Sequence, residues 1–397
     1  MYKKLLKNPV IFKLSVVQFL VYFGSWFSSV AIYTMVLNFK ATPVQNALVA
    51  TMFYLPALFG FINGAIVDKF DLKKFMFYIL VFEMLFTSLF LTITRYEQIY
   101  LLMFFLFLRS TCSFLFFASQ MSIFPHITKD EEELKATNEL HSIIWSVTFA
   151  VGMSLGGIFV KLLGIYNTIM IDIILFFTAI LVFKTIPIKA IEKDHQSIKK
   201  LITDGFLYLK NHKTLLSLIF LHSSVALTSF DTIVNLLTDT YYKSVIAISL
   251  SIGFLNGIRA FGLMIGPFFI SKLINKNNLH IFLSLQGAVI ILWSFFEKDF
   301  FISLIFMFFI GFLTTTLWSY TYTLIQTATK KEYLGRVVAY NDMLFMSVTI
   351  AVNFFSGFLF EKGISMEFIT AGLGVGFILF GLYYTKFKYQ MIKSLKN

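Results

Sequence analysis

Residues 184–213 read KTIPIKAIEKDHQSIKKLITDGFLYLKNHK, the one long lysine-rich polar interval in an otherwise apolar chain. On either side of it lie six stretches of about 20 mostly apolar residues, the length a helix needs to cross a bilayer. Their starts fall near residues 10, 43, 74, 98, 135 and 165 before the interval, and near 213, 245, 278, 299, 334 and 364 after it. The expectation is an all-α polytopic membrane protein of 12 transmembrane helices in two pseudo-symmetric six-helix bundles. The bundles cover residues 1–187 and 213–397, with a cytoplasmic linker over 188–212.

Composition agrees: 58% of residues are hydrophobic, 18% aromatic and 14% charged, and the mean hydropathy is +0.79. Soluble domains draw about a quarter of their residues from Asp, Glu, Lys and Arg, so this chain needs lipid as part of its solvent. The N-terminus, MYKKLLKNPVIFKLSVVQFL, has the lysines of a signal peptide. Its apolar run continues too long without a small-residue cleavage site, and it reads as a retained first helix. The single cysteine, Cys112, lies in an apolar stretch, so neither an intramolecular disulfide nor a cysteine-based metal site can form. No metal and no other cofactor is expected.

A net charge of +12 suggests nucleic acid until the charges are placed. Of the 33 Lys and Arg, six stand singly in alternate loops (Lys40, Arg95, Lys161, Lys243, Lys298, Lys362) and two, Arg109 and Arg259, fall inside helices. The other 25 occupy the termini, the linker and the remaining loops. Basic residues concentrate in cytoplasmic loops. Both termini are therefore expected in the cytoplasm, with the chain in the cell (inner) membrane and no nucleic-acid partner.

The two sixes carry an internal echo about 200 residues apart. NELHSIIWSVTFAVGMSLGGIFVKLLG, ending at Gly164, resembles NDMLFMSVTIAVNFFSGFLFEKG, ending at Gly363, and Gly64 on the second span falls near Gly266 on the eighth.

Polar side chains in spans report water, a binding site or helix glue, and one helix face repeats at i, i+4, i+7 and i+11. Span 1 has Gln18, Tyr22, Ser25 and Ser29 at that spacing; span 7 has Ser224, Thr228, Asp231 and Asn235; span 10 has Thr315, Ser319, Tyr322 and Gln326; span 4 has Arg109, Ser113 and Gln120. Spans 1, 4, 7 and 10 are the first and fourth of each half, which predicts a central aqueous cavity between them. Arg109, Asp231 and Arg259 lie near mid-membrane, where an ion costs about 2.5–3.5 kcal/mol to insert. Glu83 and Asp172 are further acids able to neutralise Arg109, and structural ion pairing competes with a functional role for each. His222 on span 7 reads as a packed histidine.

After span 2 comes GAIVDKFDLKK (64–74), a charged turn able to latch the halves together. Its counterpart is LGRVVAYNDM (334–343), where Arg336 and Asp342 flank the start of span 11. GAIVDKFDLKK resembles the signature loop between helices 2 and 3 of major facilitator superfamily transporters, through Gly64, Asp68, Lys69 and Lys73. Asp71 and Leu72 depart from the broad family, and the DKFD-then-basic form resembles the drug and siderophore exporter branch that holds macrolide-efflux and enterobactin exporters. Arg109 in FLFLRSTCSF resembles the family's fourth-helix arginine. Gly152, Gly156 and Gly157 in GMSLGG resemble the fifth-helix motif of exporters, with Met153 where proline is usual.

The resemblance implies two bundles rocking about a central site. The first expectation is a monomeric exporter of a small amphipathic or hydrophobic compound in exchange for protons. Its substrate would lie against Tyr22, Trp26, Trp318 and Tyr322, Asp231 would change protonation, and Arg109 would tune a nearby acid. The alternative is an importer or facilitator of a small polar or anionic metabolite held by Arg109 and Arg259. An enzyme is disfavoured, with no HExxH in the chain, and the absence of GxxxxGK[ST] removes ATP as a built-in energy source.

Overall fold

The computed structural model describes residues 5–60, 70–188 and 198–394. Eleven of its helices are long and apolar enough to cross a membrane. They are Pro9–Asn38 (span 1), Leu72–Thr92 (3), Tyr96–Ile127 (4), Glu132–Leu163 (5), Ile165–Lys184 (6), Lys213–Thr240 (7), Ile248–Ile270 (8), Leu279–Phe296 (9), Phe300–Ala328 (10), Leu334–Glu361 (11) and Met366–Lys388 (12). A shorter apolar helix, Pro43–Phe59, holds the second place. Each start lies within three residues of its expected position, and the described residues contain no strand.

Local chemistry sets the ends. Asn8 accepts from Val10 N at 3.0 Å ahead of Pro9, a cap followed by a residue that needs no donor. Thr42 and Gln45 form a capping box at the start of span 2, and Asp71, Asp130 and Asp299 cap spans 3, 5 and 10. Span 2 tightens to a 3-10 helix over Leu55–Phe59, where Pro56 removes a backbone donor. The internal echo reaches the backbone: Gly164 after span 5 and Gly363 after span 11 both have φ of 87°, a left-handed turn that a side chain would strain.

Span 7 departs from a straight helix. It runs as α-helix over Lys213–Ser223, as 3-10 helix over Ser224–Thr228, loses helicity at Ser229 and Phe230, and resumes over Asp231–Thr240. The spacing that placed Ser224, Thr228, Asp231 and Asn235 on one face assumes an unbroken helix, and the break removes that register.

The described residues divide into two compact units, one of 5–41, 70–188 and 247–257, the other of 42–60, 198–246 and 258–394. In the first, Met76, Leu80, Phe116, Ile123, Phe176 and Phe183 fill a core shared by spans 3, 4 and 6. Span 5 meets span 8 closely there: a Cβ on Gly157 would stand 2.5 Å from Ser249 O, and one on Gly253 2.9 Å from Gly157 Cα. Gly152 and Gly156 face span 1 instead, against the backbone of Phe23 and Phe27. In the second unit, span 2 meets span 11. Gly357 lies against Pro43 and Ala47, and Val44 N donates to Glu361 Oε2 at 2.9 Å.

The turn between spans 9 and 10 encloses Glu297, which is 1% exposed. The Tyr242 hydroxyl donates to the Glu297 carbonyl and also meets Ser303 Oγ, which accepts from Trp293 Nε1 at 2.9 Å. Burial pushes the Glu297 carboxyl up to about 8; Glu367 adds to the rise, while Thr370 and Lys298 oppose it. A folded-state value above the unfolded one means that the protonated form favours the fold. That contribution is complete below about pH 4.5, declines above it and is gone once pH passes about 8. The melting temperature is therefore expected to fall between pH 6 and pH 9, and Glu297→Gln to flatten that slope; an unchanged slope in thermal melts of the variant contradicts the assignment.

Candidate functional site

Three charges meet in the first unit. Arg109 on span 4 donates from Nη2 to Asp172 Oδ2 on span 6 at 2.9 Å, with the two side chains 3% and 0% exposed. Of the two acids expected to neutralise Arg109, Asp172 makes the ion pair. Glu83 on span 3 is also fully buried and accepts a short hydrogen bond from Ser113 Oγ. Among the described residues, Glu83 Oε2 and Arg109 Nη1 have no hydrogen-bond partner. Phe90 and Phe176 present their rings to the guanidinium, each centroid 5.9 Å away. Gly24 on span 1 makes the space for Asp172, because a Cβ there would strike its carboxylate. The cluster holds two carboxylates and one cation.

Two polar side chains of the span 1 face are bonded internally. Gln18 Nε2 donates to His141 O at 3.1 Å and Tyr22 OH to Gln120 Oε1 at 2.9 Å. Both are buried. His141 stands among Tyr22, Phe117 and Phe124, with ring centroids at 6.0, 5.4 and 5.5 Å. With Ser15, Gln18 and Thr137 it lines a cavity of about 10 Å³, the room of a single water. Trp26 packs on Trp145 and Phe149. The accessible polar face in this unit belongs to span 5, where Asn138, Ser142 and Trp145 are exposed at i, i+4 and i+7.

In the second unit the break in span 7 gathers a polar network. Tyr54 OH donates to Asp231 Oδ2 at 2.9 Å, and Asn235 Nδ2 to Asn46 Oδ1 at 3.1 Å, so span 2 is fastened to span 7 twice. Thr232 donates to Asn353 Oδ1 from both N and Oγ1 at 3.0 Å. Ser229 Oγ donates to Thr349 Oγ1 at 3.2 Å. Arg259 Nη1 takes the Thr228 carbonyl, freed at the end of the 3-10 segment, at 2.9 Å. Ser224 and Asn235 are buried, and Thr228 is half-buried.

Span 10 offers the other accessible face. Trp318, Ser319, Thr323, Gln326 and Thr327 are exposed and Tyr322 is half-buried, while the exposed residues earlier in the span are Phe301, Ile305 and Phe309. Trp318 and Tyr322 stack at 4.9 Å, and with Phe345 they surround His222. His222 Nδ1 lies 2.8 Å from Thr321 Oγ1, whose hydroxyl is committed to Leu317 O at 2.7 Å. The ring therefore donates from Nδ1, and its Nε2 has no partner among the described residues.

Gly64, Asp68 and Lys69 lie outside the described residues. Lys73 is half-buried at the start of span 3. Asp342 is exposed on span 11 and accepts from Asn341 Nδ2 at 3.1 Å, while Arg336 lies 3.9 Å from Asp204 of the linker. GMSLG at 152–156 has the spacing of a hydrolase nucleophile motif. It sits within span 5, and Ser154 Oγ donates to Ala150 O at 2.8 Å, so the strand–turn–helix context of a nucleophile is missing.

Tyr54, Asn46, Asn353 and Gly24 are partners that the stripe argument missed, since span 2 was read for the loop that follows it. Removing one member of a buried ion pair costs about 3–5 kcal/mol, whereas replacing both by apolar groups is often neutral. Asp172→Asn is therefore expected to lower the melting temperature in detergent by several degrees, and Arg109→Met combined with Asp172→Leu to recover most of the loss; equal losses in both variants contradict the pairing.

A family model described as the Major Facilitator Superfamily matches residues 14–352. The chain is 25% identical over 389 residues to YkuC, an uncharacterised MFS-type transporter of Bacillus subtilis strain 168, across 87% of this chain and 84% of that one. Among solved structures it resembles the peptide transporter POT in complex with sulfate, with TM-score 0.75, 12% identity and coverage of 98% and 96%. It also resembles the nucleoside transporter NupG, with TM-score 0.69, 15% identity and coverage of 98% and 99%. At such identities the structural likeness carries the fold alone. Twelve apolar helices in the expected places and a family match over most of the chain lead to one conclusion: the protein belongs to the Major Facilitator Superfamily and is a transporter, not an enzyme.

Proposed function

We propose that this transporter exports a small amphipathic or hydrophobic compound in exchange for protons, acting as a monomer in the cell (inner) membrane with both termini in the cytoplasm. The observation that carries the reading is the cluster of Glu83, Asp172 and Arg109: two buried carboxylates and one guanidinium, which is paired with Asp172. Ionising both acids leaves an unbalanced negative charge in a medium that solvates it poorly. The cluster balances by holding one proton, and Glu83, hydrogen-bonded only to a hydroxyl in the described structure, is the carrier. Releasing that proton shifts the charge on the Arg109–Asp172 pair, and so ties helices 3, 4 and 6 to the proton gradient.

The exposed Trp318 and Ser319 and the half-buried Tyr322 on span 10, and Trp145 with Asn138 and Ser142 on span 5, supply aromatic area beside hydroxyl and amide groups. That chemistry suits an amphipathic substrate. The anionic-metabolite reading needs a cation facing the substrate; Arg109 is paired with Asp172 and Arg259 is bonded to the Thr228 carbonyl. Asp231, through Tyr54, is the fastening of span 2 to span 7. The close seams of spans 2 with 11 and 5 with 8 lie at the lysine-poor end, the outer end in this topology, where alternating access would part them. The exporter branch is supported by the form of residues 64–74 and by the glycines of span 5.

The test is flux in proteoliposomes under an imposed pH gradient, using lipophilic dyes and antibiotics as candidate substrates. The parent is expected to show gradient-driven flux, and Glu83→Gln to lose it while keeping gradient-free exchange. Flux indifferent to the gradient, or a Glu83→Gln variant that remains fully coupled, overturns the proposal.

A further inference from the structure

Among the described residues, the linker helix Ile198–Asn211 is the one long helix that belongs to no span. Its inner face is docked on the turn before span 11 and on that span's first turns. Tyr340 OH donates to Ile202 O at 3.0 Å, and Lys330 N to Tyr208 OH at 3.2 Å. The Tyr208 ring stacks on Tyr333 at 4.1 Å. Gly205 fits against Arg336 and Tyr340, where a Cβ would stand 3.0 Å from Arg336 Cβ. Tyr208 and Leu209 are buried by these contacts.

The opposite face has no such cover. Phe206 is 57% and Leu207 50% exposed, and Lys210 beside them is exposed too. At 100° per residue the exposed set of Thr203, Phe206, Leu207 and Lys210 forms one side of the helix. Lys199 and Lys200 precede it in sequence and Lys213 opens span 7. Among the described residues the other exposed phenylalanines lie on spans, where lipid surrounds them, except Phe70 in the turn before span 3. Here the helix lies between the end of span 6 at Lys184 and the start of span 7 at Lys213, at the level where the chain leaves the membrane.

We propose that the linker helix is an interfacial anchor whose exposed face binds the bilayer surface, with Phe206 and Leu207 entering the acyl boundary and Lys210 and Lys213 engaging anionic lipid headgroups. A basic helix with a large apolar side lies in the plane of the interface and favours anionic lipid. Charge complementarity selects the occupant, since the apolar pair alone would accept any bilayer and the lysines distinguish phosphatidylglycerol from phosphatidylcholine. Through Tyr208, Tyr340 and Arg336 the bound lipid bears on the start of span 11. The inference is independent of what the transporter carries.

The test uses the full-length protein with Phe206→Trp, reconstituted in phosphatidylcholine with or without phosphatidylglycerol, with brominated lipid of either kind as quencher. The added tryptophan emission, taken as the difference from the parent, is expected to be quenched more strongly by brominated phosphatidylglycerol. Lys210→Gln and Lys213→Gln are expected to remove that preference, each weakening it roughly fivefold. No quenching by either lipid places this face in water and overturns the proposal. Equal quenching by both, or a preference that survives the lysine substitutions, overturns the recognition of anionic headgroups. If emission follows self-association rather than lipid charge, the occupant is a second copy and the proposal fails.

Discussion

A guanidinium in hydrocarbon must find its counter-charge within the protein, and the first unit is arranged around that requirement. Arg109 draws Asp172 from span 6, Glu83 stands on span 3 with Ser113 from the arginine's own helix, and Gly24 on span 1 gives up its side chain to leave space. Four helices are thus committed to one charge. In the proposed mechanism two acids share this one cation and a proton balances them, which would make the cluster a switch as well as a brace.

The second unit answers a different demand of the same medium. Breaking span 7 frees backbone groups that lipid cannot satisfy. Asn353 takes the Thr232 amide and Arg259 the Thr228 carbonyl. Once the helix is interrupted, Asp231 heads a new helical segment and meets Tyr54, and Asn235 meets Asn46 one turn further on. The break therefore both carries polar groups and fastens span 2. A transporter of this superfamily needs helices that are held firmly in one state and released in another. Hydrogen bonds between uncharged or singly charged partners suit that need better than apolar interlocking.

Hydrophobic length and the placement of lysines made the architecture legible, because bilayer thickness and the positive-inside bias act on every span alike. The echo ending at Gly164 and Gly363 was legible for a similar reason, as both glycines take a φ of 87° that a side chain would strain. Periodicity reads a face only along an intact helix, and says nothing of which face meets a neighbour. It picked out Ser319, Tyr322 and Gln326 on span 10, of which Ser319 and Gln326 are exposed and Tyr322 is half-buried. On span 1 it picked out Gln18 and Tyr22, which are spent on His141 and Gln120. On span 7 it ran across the break. The exposed Asn138, Ser142 and Trp145 carry the same spacing on span 5, a signal the search missed by attending to the first and fourth helices of each half.

The central claim is that the Arg109 cluster holds one proton, and it is most directly tested without any substrate by infrared spectroscopy of the purified transporter at neutral pH. A Glu297→Gln background removes the buried acid of the turn between spans 9 and 10, whose raised carboxyl would add a band of its own. The account predicts the carbonyl band of a protonated carboxylic acid in that background, and its disappearance on adding Glu83→Gln. A band that survives Glu83→Gln, or none to begin with, would contradict it.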